Sequence, residues 1–315
     1  MIQPHETWNI HDSSKIETYM SCPRKYFYQY VLGWREDKPS EHLIFGEAWH
    51  LAMEHMLIHG YTQEAILAGY MLLEHKYREA FNEETDDQRF PKVPGMGLMG
   101  LVEYAKEYEP IDKGEECLYT EIAGSVPVLR EKRLNFRMDS IIRKADSLII
   151  SREHKTAGSF SRQWIDQWKL KIQLGTYLHV LYCLYKADEV WGVQINGAAF
   201  QKGKKSAGEI KFHRELVRKT PEMMEDWICT VMYWLDRIEE DFSLLLGECT
   251  ENDTVLRAFT KNPTACTDYF GCEYMDLCLA WANPLRHIFD LPIGFHTEYW
   301  NPADYQLTAK KVVTI

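Results

Sequence analysis

The sequence lacks the features that mark membrane, secreted and repetitive proteins. No run of about 18 apolar residues could span a bilayer, and residues 1–20 have neither the basic start nor the apolar stretch of a secretory signal. Internal repeats and linkers rich in proline, glycine and serine are also missing. Hydrophobic residues make up 45% of the 315 residues and charged residues 26%, which is ordinary globular composition. We therefore expect a soluble intracellular protein whose residues 1–315 form a single domain.

An excess of basic charge is missing as well. The 36 basic and 47 acidic residues give a net charge of −11, which excludes a protein that coats nucleic acid by bulk charge. Two segments depart from this balance, since residues 130–173 carry a net charge of +6 and residues 201–219 a net charge of +5. Such segments are typical either of a polyanion-binding groove or of two solvated basic surfaces.

A disulfide framework is not expected in a reducing compartment, so the eight cysteines need another explanation. Four of them are scattered among apolar neighbours and are interpreted as buried small hydrophobic residues: Cys117, Cys183, Cys229 and Cys249. Another group, Cys266, Cys272 and Cys278, recurs within thirteen residues. Three clustered thiolates predict a zinc or iron–sulfur site that needs a fourth ligand.

Hydrophobic periodicity predicts an α/β fold with a central sheet flanked by helices. Helices are predicted at 14–33, 43–59, 62–82, 164–185 and 222–246, and strands at 117–123, 134–143, 147–155, 190–200 and 209–217. Residues 83–100, rich in glycine and proline, are predicted to form a loop within a peripheral helical insertion at 60–115. The C-terminal quarter is predicted to be irregular apart from its cysteines.

Two acidic residues and a lysine come together in the predicted sheet. A turn around Lys144–Asp146 would place Asp139 opposite Ser151 in an antiparallel pair, and Glu153 and Lys155 would then share the face of Asp139. Paired carboxylates suit a hard cation such as Mg²⁺, and the lysine could orient a water or stabilise charge on a phosphate. Phosphodiester hydrolysis fits this set. The alternative is solvated strand charges or a cross-strand ion pair.

The order of these residues along the chain resembles that of the RecB-like nucleases of the PD-(D/E)XK superfamily. The likeness is to the iron–sulfur branch, which includes the CRISPR-associated exonucleases, the AddB-type nucleases and related phage-encoded proteins. Four motifs carry it: Gly46–His50 for GxxxH, Met138–Asp139 for the metal-binding Asp, Glu153–Thr156 for acid-x-Lys and Gln173–Tyr177 for QxxxY. Two departures occur, since Phe136 replaces the usual glycine three residues before Asp139, and Glu153 stands where Asp is commoner. The resemblance implies a restriction-endonuclease-like core with a mixed central sheet.

The resemblance also implies roles for the residues of these motifs. Mg²⁺ or Mn²⁺ would be held by His50, Asp139, Glu153 and the backbone carbonyl of His154. Lys155 would position or activate the attacking water. Gln173 and Tyr177, four residues apart on one helix face, would reach the lysine or a DNA phosphate. From helix periodicity alone, Gln173 would be solvated, Tyr177 would pack in the core and His50 would be an ordinary amphipathic-helix histidine.

The implied activity is that of a metal-dependent DNA nuclease. We expect an exonuclease that acts on single-stranded ends in recombination, repair or phage replication, in a bacterial or phage-infected cytoplasm. Its expected partners are DNA and a helicase, a recombinase or another replication protein. Phosphate contacts are expected from six basic residues: Arg162, Lys169, Lys171, Lys202, Lys204 and Lys205. The rival hypotheses are a non-catalytic DNA-binding or assembly subunit, whose site would be expected to have decayed, and an RNase or structure-specific endonuclease, which would share every site residue.

The same resemblance supplies a fourth ligand for the cysteine group. Residues 19–26 resemble the N-terminal cysteine segment of the iron–sulfur nucleases, so the implied ligands of a [4Fe–4S] cluster are Cys22, Cys266, Cys272 and Cys278. Such a cluster would join residues 262–280 to Cys22 and staple the two ends of the chain. The spacing is Cys-x5-Cys-x5-Cys, where many members have Cys-x2-Cys-x5-Cys. The lack of a short Cys-x2–4-Cys pair favours iron–sulfur over zinc. Zinc and three unligated buried cysteines stay the alternatives.

Overall fold

A computed structural model describes residues 2–203, 208–268 and 271–315. Its strands are β1 (His11–Asp12), β2 (Trp34–Glu36), β3 (Glu116–Pro127), β4 (Arg133–Arg143), β5 (Ile149–Ala157), β6 (Val190–Lys202), β7 (Gly208–Val217), β8 (Phe295–Thr297) and β9 (Lys311–Thr314). Its α-helices are α1 (Ser13–Ser21), α2 (Pro23–Tyr26), α3 (Glu41–His59), α4 (Gln63–Arg78), α5 (Asp86–Arg89), α6 (Pro94–Tyr108), α7 (Arg162–Asp166), α8 (Ile172–Leu184), α9 (Pro221–Glu248), α10 (Met275–Ala280) and α11 (Tyr305–Thr308). None of these helices combines the length and the hydrophobicity needed to cross a membrane.

The central sheet is mixed and has the strand order β7-β6-β5-β4-β3-β9, with β1 added beside β4. Neighbouring strands from β3 to β5 are antiparallel, β5 and β6 are parallel, and β9 runs parallel to β3. A parallel pair needs a crossover connection, which α7 and α8 provide between β5 and β6. The predicted α/β fold with a mixed central sheet flanked by helices is therefore confirmed.

Helices cover both faces of the sheet. One core contains Met138 and Ile195 of the sheet together with residues of α1, α8 and α9, and a second contains Ala198 and Phe200 together with residues of α3, α4 and α6. A third core joins the segment after α1 to the C-terminal cysteine region. A strand covered on both faces has no solvent side, which is why every residue from Ile149 to His154 is buried.

Two predicted helices are interrupted. The helix predicted at 14–33 breaks at Cys22, which has extended backbone angles and precedes Pro23, and it resumes as α2 and a π-helical turn at Phe27–Val31. The helix predicted at 164–185 breaks at Lys171, between a 3-10 turn and α8.

Two stretches predicted to be irregular are ordered. Most of the loop predicted at 83–100 is helical, because α6 begins at Pro94 and α5 precedes it. The C-terminal quarter contains β8, which pairs with β2, and β9, which extends the central sheet beside β3. The predictions of a loop at 83–100 and of an irregular C-terminal quarter were therefore wrong, because tertiary packing orders these stretches.

Helices α8 and α9 pack closely because Gly175 has no side chain. A Cβ atom at Gly175 would lie 2.1 Å from Cδ1 of Trp227, and the Trp227 indole N–H donates to the Ile172 carbonyl (3.2 Å). The indole therefore occupies the space above Gly175. Gln173 and Tyr177 lie on the same helix, so this contact helps to set their position.

We expect Gly175→Ala to destabilise the protein by about 1–3 kcal/mol, the usual cost of overpacking a core. Thermal unfolding would measure the change. Gly95→Ala is the matched control, because Gly95 is also helical but has open space around its Cβ position, so its substitution should be neutral or slightly stabilising. Equal unfolding midpoints for the two variants would contradict this account of the helix contact.

Strand β1 carries His11 into the interior beside β4. Burial lowers the pKa of its imidazole to about 3, and the charges of Lys15 and Lys132 act in the same direction. The folded protein therefore resists protonation of His11 between about pH 6.5 and pH 3, while the unfolded chain accepts the proton. The stability that depends on neutral His11 is present above pH 6.5 and is lost as the pH falls.

We expect His11 alone to reduce the free energy of unfolding by about 2 kcal/mol between pH 7 and pH 5. Urea unfolding at the two pH values would show a smaller loss for His11→Leu than for wild type. The exposed His75 offers a control, since its side chain is 83% accessible and His75→Leu should keep the wild-type loss. A His11→Leu protein with the full wild-type loss would refute the assignment.

Candidate active site

Strand β4 changes neighbours along one edge. Residues 140–143 of β4 pair with residues 149–152 of β5, whereas Leu134 and Asn135 pair with β1. The opposite edge of β4 pairs with β3 along the whole strand. Strands β4 and β5 are therefore paired as far as Ser140 and Arg152. Beyond this pair, toward Asp139 and Glu153, the strands separate and form a fork.

Asp139 and Glu153 are the first residues beyond the paired stretch. The His154 N–H donates to Oδ2 of Asp139 (2.7 Å), and the Asp139 N–H donates to Oε1 of Glu153 (3.3 Å). The Ser151 hydroxyl also donates to this Oε1 atom (2.8 Å). The two carboxylates thus accept backbone groups that lost their ladder partners at the fork. This fixes both carboxylates on a rigid part of the sheet.

The predicted pairing of Asp139 with Ser151 is wrong by two residues, since Ile141 lies opposite Ser151. The connecting loop spans 144–148 and is closed by a hydrogen bond from the Lys144 N–H to the Leu148 carbonyl (2.8 Å). Its Ser147 has a positive φ of 71°, a conformation that residue type does not reveal for serine. A shift of two residues keeps the same side chains on the same face of the strand.

The six side chains of the four sequence motifs line one cavity of about 980 Å³: His50, Asp139, Glu153, Lys155, Gln173 and Tyr177. His50 comes from α3, and its Nδ1 lies 3.3 Å from Oδ2 of Asp139. The structure therefore brings together two helices, α3 and α8, and the consecutive strands β4 and β5.

The QxxxY pair is tied to the sheet. The Gln173 amide donates to the Tyr177 hydroxyl (3.0 Å), which donates to the Arg137 carbonyl (2.5 Å). The sequence predicted that the pair reaches Lys155 or a phosphate. In the structure, these hydrogen bonds instead attach α8 to Arg137 of β4, two residues before Asp139. Both side chains still face the cavity.

The two carboxyl groups of the fork have different proton affinities. Burial opposes charge on Asp139, but His50 and Lys155 outweigh it and hold the pKa of Asp139 below its usual range. Burial raises the pKa of Glu153 well above its ordinary value, and the charge of Asp139 raises it further. Ionisation of Asp139 therefore disfavours ionisation of Glu153. A bound divalent cation would stabilise both negative charges.

The side chain of His154 is not a candidate ligand, because it lies away from the cavity in the core. Its Nδ1 is 2.9 Å from Nδ2 of Asn196, and burial lowers its pKa to about 3. Its backbone N–H, which orients Asp139, is the contact that the structure shows. The expected metal contact of its carbonyl stays a prediction.

Four of the predicted DNA-binding residues, Arg162, Lys169, Lys171 and Lys202, lie outside the cavity lining. Arg162 and Lys169 both pair with Asp166, and Lys171 pairs with Glu17. Lys202 is exposed at the end of β6. Lys204 and Lys205 lie outside the described residues.

Several charged residues of the cavity were missed by sequence reasoning. They are Glu54, Lys76, Lys92, Glu121, Arg137 and Lys310. Glu54 follows His50 by one helical turn, so its spacing could have revealed it. Glu121 lies on β3 and Lys310 in the C-terminal segment. No local sequence pattern predicts that they line the cavity. Lys310 lies 2.6 Å from Glu54, and Arg137 lies 2.5 Å from Glu121.

The four cysteines of the implied cluster are close together. Cys22, Cys266 and Cys272 line a cavity of about 280 Å³, and the Cys272 N–H donates to the Cys266 carbonyl (3.1 Å). Burial raises the pKa of Cys278 to about 11, and the neighbouring Cys22 and Cys272 add to the shift. The backbone N–H of Asn262 points at the Cys22 sulfur (3.4 Å), a donor arrangement that suits a thiolate.

No three His, Cys, Asp or Glu side chains within the described ranges already stand in a metal-binding arrangement. The fit of the cysteines to a metal centre is instead supported by two buried donors. Arg24 is 2% exposed, and within the described residues its Nη1 has no carbonyl or carboxylate partner; the buried Tyr28 hydroxyl lies beside it and beside Cys278. Burial raises the pKa values of Tyr28 and Cys278 and Arg24 lowers both, so the three side chains lie close together. An anionic cluster of thiolates would satisfy both donors.

The other cysteines differ from expectation. Cys183 and Cys229 are exposed, and Cys117 and Cys249 are half-buried. The prediction that all four are buried small hydrophobic residues was therefore wrong. Cys183 and Cys229 lie on α8 and α9, where they face away from the cores.

The geometry can be set beside known proteins. The sequence profile of the PD-(D/E)XK nuclease superfamily matches residues 13–279, and no curated protein matches the chain. A protein from Eubacterium rectale whose name describes it as a candidate exonuclease is 12% identical, with 79% of this chain and 89% of that chain covered and a TM-score of 0.46. The protein SSO0001 is also 12% identical, with 82% and 90% covered and a TM-score of 0.31.

These two structures are too distant to inform the activity of this chain. The profile match is different, because it extends over most of the sequence and includes all four motifs whose side chains line the cavity. The chain belongs to the PD-(D/E)XK nuclease superfamily.

Proposed function

We propose that the protein is a Mg²⁺- or Mn²⁺-dependent DNA exonuclease of the RecB-like, iron–sulfur branch, acting on single-stranded ends in recombination, repair or phage replication. The observation that carries this proposal is the fork between β4 and β5, where the six motif side chains line one cavity. The wider proposal includes a single domain, a helical insertion at 60–115, a cytoplasmic location and a helicase or recombinase as partner.

The residues of the fork divide the chemistry among them. His50, Asp139 and Glu153 would hold the cation, which when bound would polarise the phosphate and neutralise its charge. The His154 N–H keeps Asp139 in place (2.7 Å). Lys155 supplies an ammonium group on the cavity wall, where it can orient the attacking water or stabilise charge that develops on the phosphate.

The size of the cavity supports a single strand as the proposed substrate. Its volume of about 980 Å³ is that of a ligand pocket and would suit a short stretch of one strand. Tyr305, Thr308 and Lys310 of the C-terminal segment form part of its wall. Leu43 and Leu51 line it with 68% and 40% exposure, and these apolar side chains would suit the faces of unstacked bases.

The cysteines are proposed to hold a [4Fe–4S] cluster, with zinc as the less favoured alternative. The ligands would be Cys22, Cys266, Cys272 and Cys278. The buried Arg24 and Tyr28 donors beside Cys278 support an anionic centre of either kind. In this proposal the centre has a structural role and staples residues 262–280 to the end of α1.

We expect Lys155→Ala and Asp139→Asn each to reduce nuclease activity by at least about 100-fold, because each removes a group that acts on the reacting phosphate. Labelled single- and double-stranded DNA, and RNA, would be assayed with Mg²⁺ or Mn²⁺. Lys106→Ala is the control, since Lys106 is exposed on α6 and pairs with Glu103 of the same helix. If folded, metal-loaded wild type cuts none of these substrates, the assembly-subunit hypothesis replaces the nuclease.

We expect anaerobically purified protein to absorb broadly near about 400 nm and to contain iron. Cys272→Ser should lose this absorption and unfold at a lower temperature, because one of four ligands is gone. Cys183→Ser is the matched control, since Cys183 is exposed and away from the cluster. Zinc without iron in the purified protein would establish the alternative centre. Neither metal in wild type would remove the cluster from the proposal.

A further inference from the structure

The far wall of the catalytic cavity contains the start of a long helix. His42, Leu43 and Lys92 line the same cavity as His50 and Asp139. Helix α3 has 19 residues, and its first-turn N–H groups and dipole favour an anion at this end. The Ser40 hydroxyl accepts the Leu43 N–H (3.4 Å) as the N-cap of this helix.

Lys92 is an independent sign of an anion at this place. It is 7% exposed, and among the described residues its Nζ has neither a hydrogen bond nor a carboxylate within 4 Å. Glu41 is the acid that acts on it electrostatically, but its Oε2 lies 3.9 Å from Nη1 of Arg89. Lys92 therefore lies in the cavity wall without an ion pair among the described residues, and an anionic ligand in the cavity would supply the negative charge that it lacks.

Lys76 on the same wall shows what a structurally paired lysine looks like. Its Nζ lies 3.0 Å from Glu79 and 3.6 Å from Glu47, so its charge is already compensated. Lys92 and Lys76 both face the cavity, but only Lys92 of these two lacks an ion pair. The pair therefore offers a matched comparison between a lysine that needs a ligand and one that does not.

We propose that Lys92 and the first turn of α3 form a subsite for a phosphate of the nucleic-acid substrate. This inference rests on the proposed nuclease function and adds a second contact to the substrate. His42 precedes His50 by eight residues, which is about 12 Å along the helix axis. A phosphate at the subsite is therefore separate from the one that is cleaved, and is either an internal phosphodiester or a terminal phosphate of the strand.

Binding of fluorescent single-stranded oligonucleotides tests the proposal without Mg²⁺ or Mn²⁺, so that affinity is read apart from cleavage. We expect Lys92→Met to weaken binding about tenfold or more, as expected for the loss of a charged phosphate contact. Lys92→Arg should recover most of the affinity, and Lys76→Met should bind like wild type. Thermal unfolding should show no loss of stability in Lys92→Met, because the variant removes an uncompensated buried charge.

The oligonucleotide ends identify the source of the phosphate. If a terminal phosphate occupies the subsite, its removal weakens wild type and has no effect on Lys92→Met. If an internal phosphodiester occupies it, Lys92→Met weakens binding equally with and without terminal phosphates. Equal affinities of wild type and Lys92→Met for every oligonucleotide would overturn the subsite, as would a lower unfolding temperature with unchanged affinity.

Cleavage assays separate this proposal from the proposed function. Protein that cleaves DNA with a KM insensitive to Lys92→Met retains its nuclease function and loses the subsite. Protein that binds oligonucleotides in a Lys92-dependent manner but never cleaves retains the subsite and loses the nuclease function.

Discussion

The separation of β4 from β5 is the constraint on which the site depends. Where two strands part, their backbone N–H groups lose ladder partners inside the protein and need other acceptors. Here the acceptors are the carboxylates of Asp139 and Glu153. The same hydrogen bonds that satisfy the fork therefore hold the two acids beside each other. Strand β1 occupies the other part of the freed edge at Leu134 and Asn135, so the gap is limited to the few residues around Asp139.

A strand released on one edge must be held from another direction, and a buried polar network does this behind β5. Arg152, 1% exposed, pairs with Asp112 (3.3 Å), and Arg214 bonds the same carboxylate. Arg214 also donates to Asn196, which contacts the His154 ring. Buried charges of this kind are tolerated only when each is paired, and the loss of one partner leaves the others uncompensated. The network therefore fixes the backbone on either side of Glu153.

Local patterns were enough to predict the strands β3 to β7, the helix that carries His50 and the shared face of Asp139, Glu153 and Lys155, because period-two and period-3.6 repeats are local properties. What the sequence could not show arises from distant contacts. Residues 94–108 are rich in glycine but helical. Gly97 has no side chain, and Leu73 packs against the helix at this place: a Cβ atom at Gly97 would lie 2.8 Å from Cδ1 of Leu73. Strand β9 forms only by parallel pairing with β3, and it brings Lys310 to Glu54. No sequence neighbour indicates such a pairing.

Helix α1 connects the cavity lined by the motif residues with the cavity lined by the cysteines. It begins at its N-cap Asp12, which with Ser13 lines the catalytic cavity, and it ends at Cys22, which lines the cysteine cavity about 13 Å away. Asp12 also accepts hydrogen bonds from Trp300 and Tyr305 of the C-terminal segment. The cysteine region and the cavity wall are therefore both connected to α1 and to the C-terminal segment. A metal centre at Cys22 would hold one end of that element, so its structural effect would extend to the residues that surround Asp139.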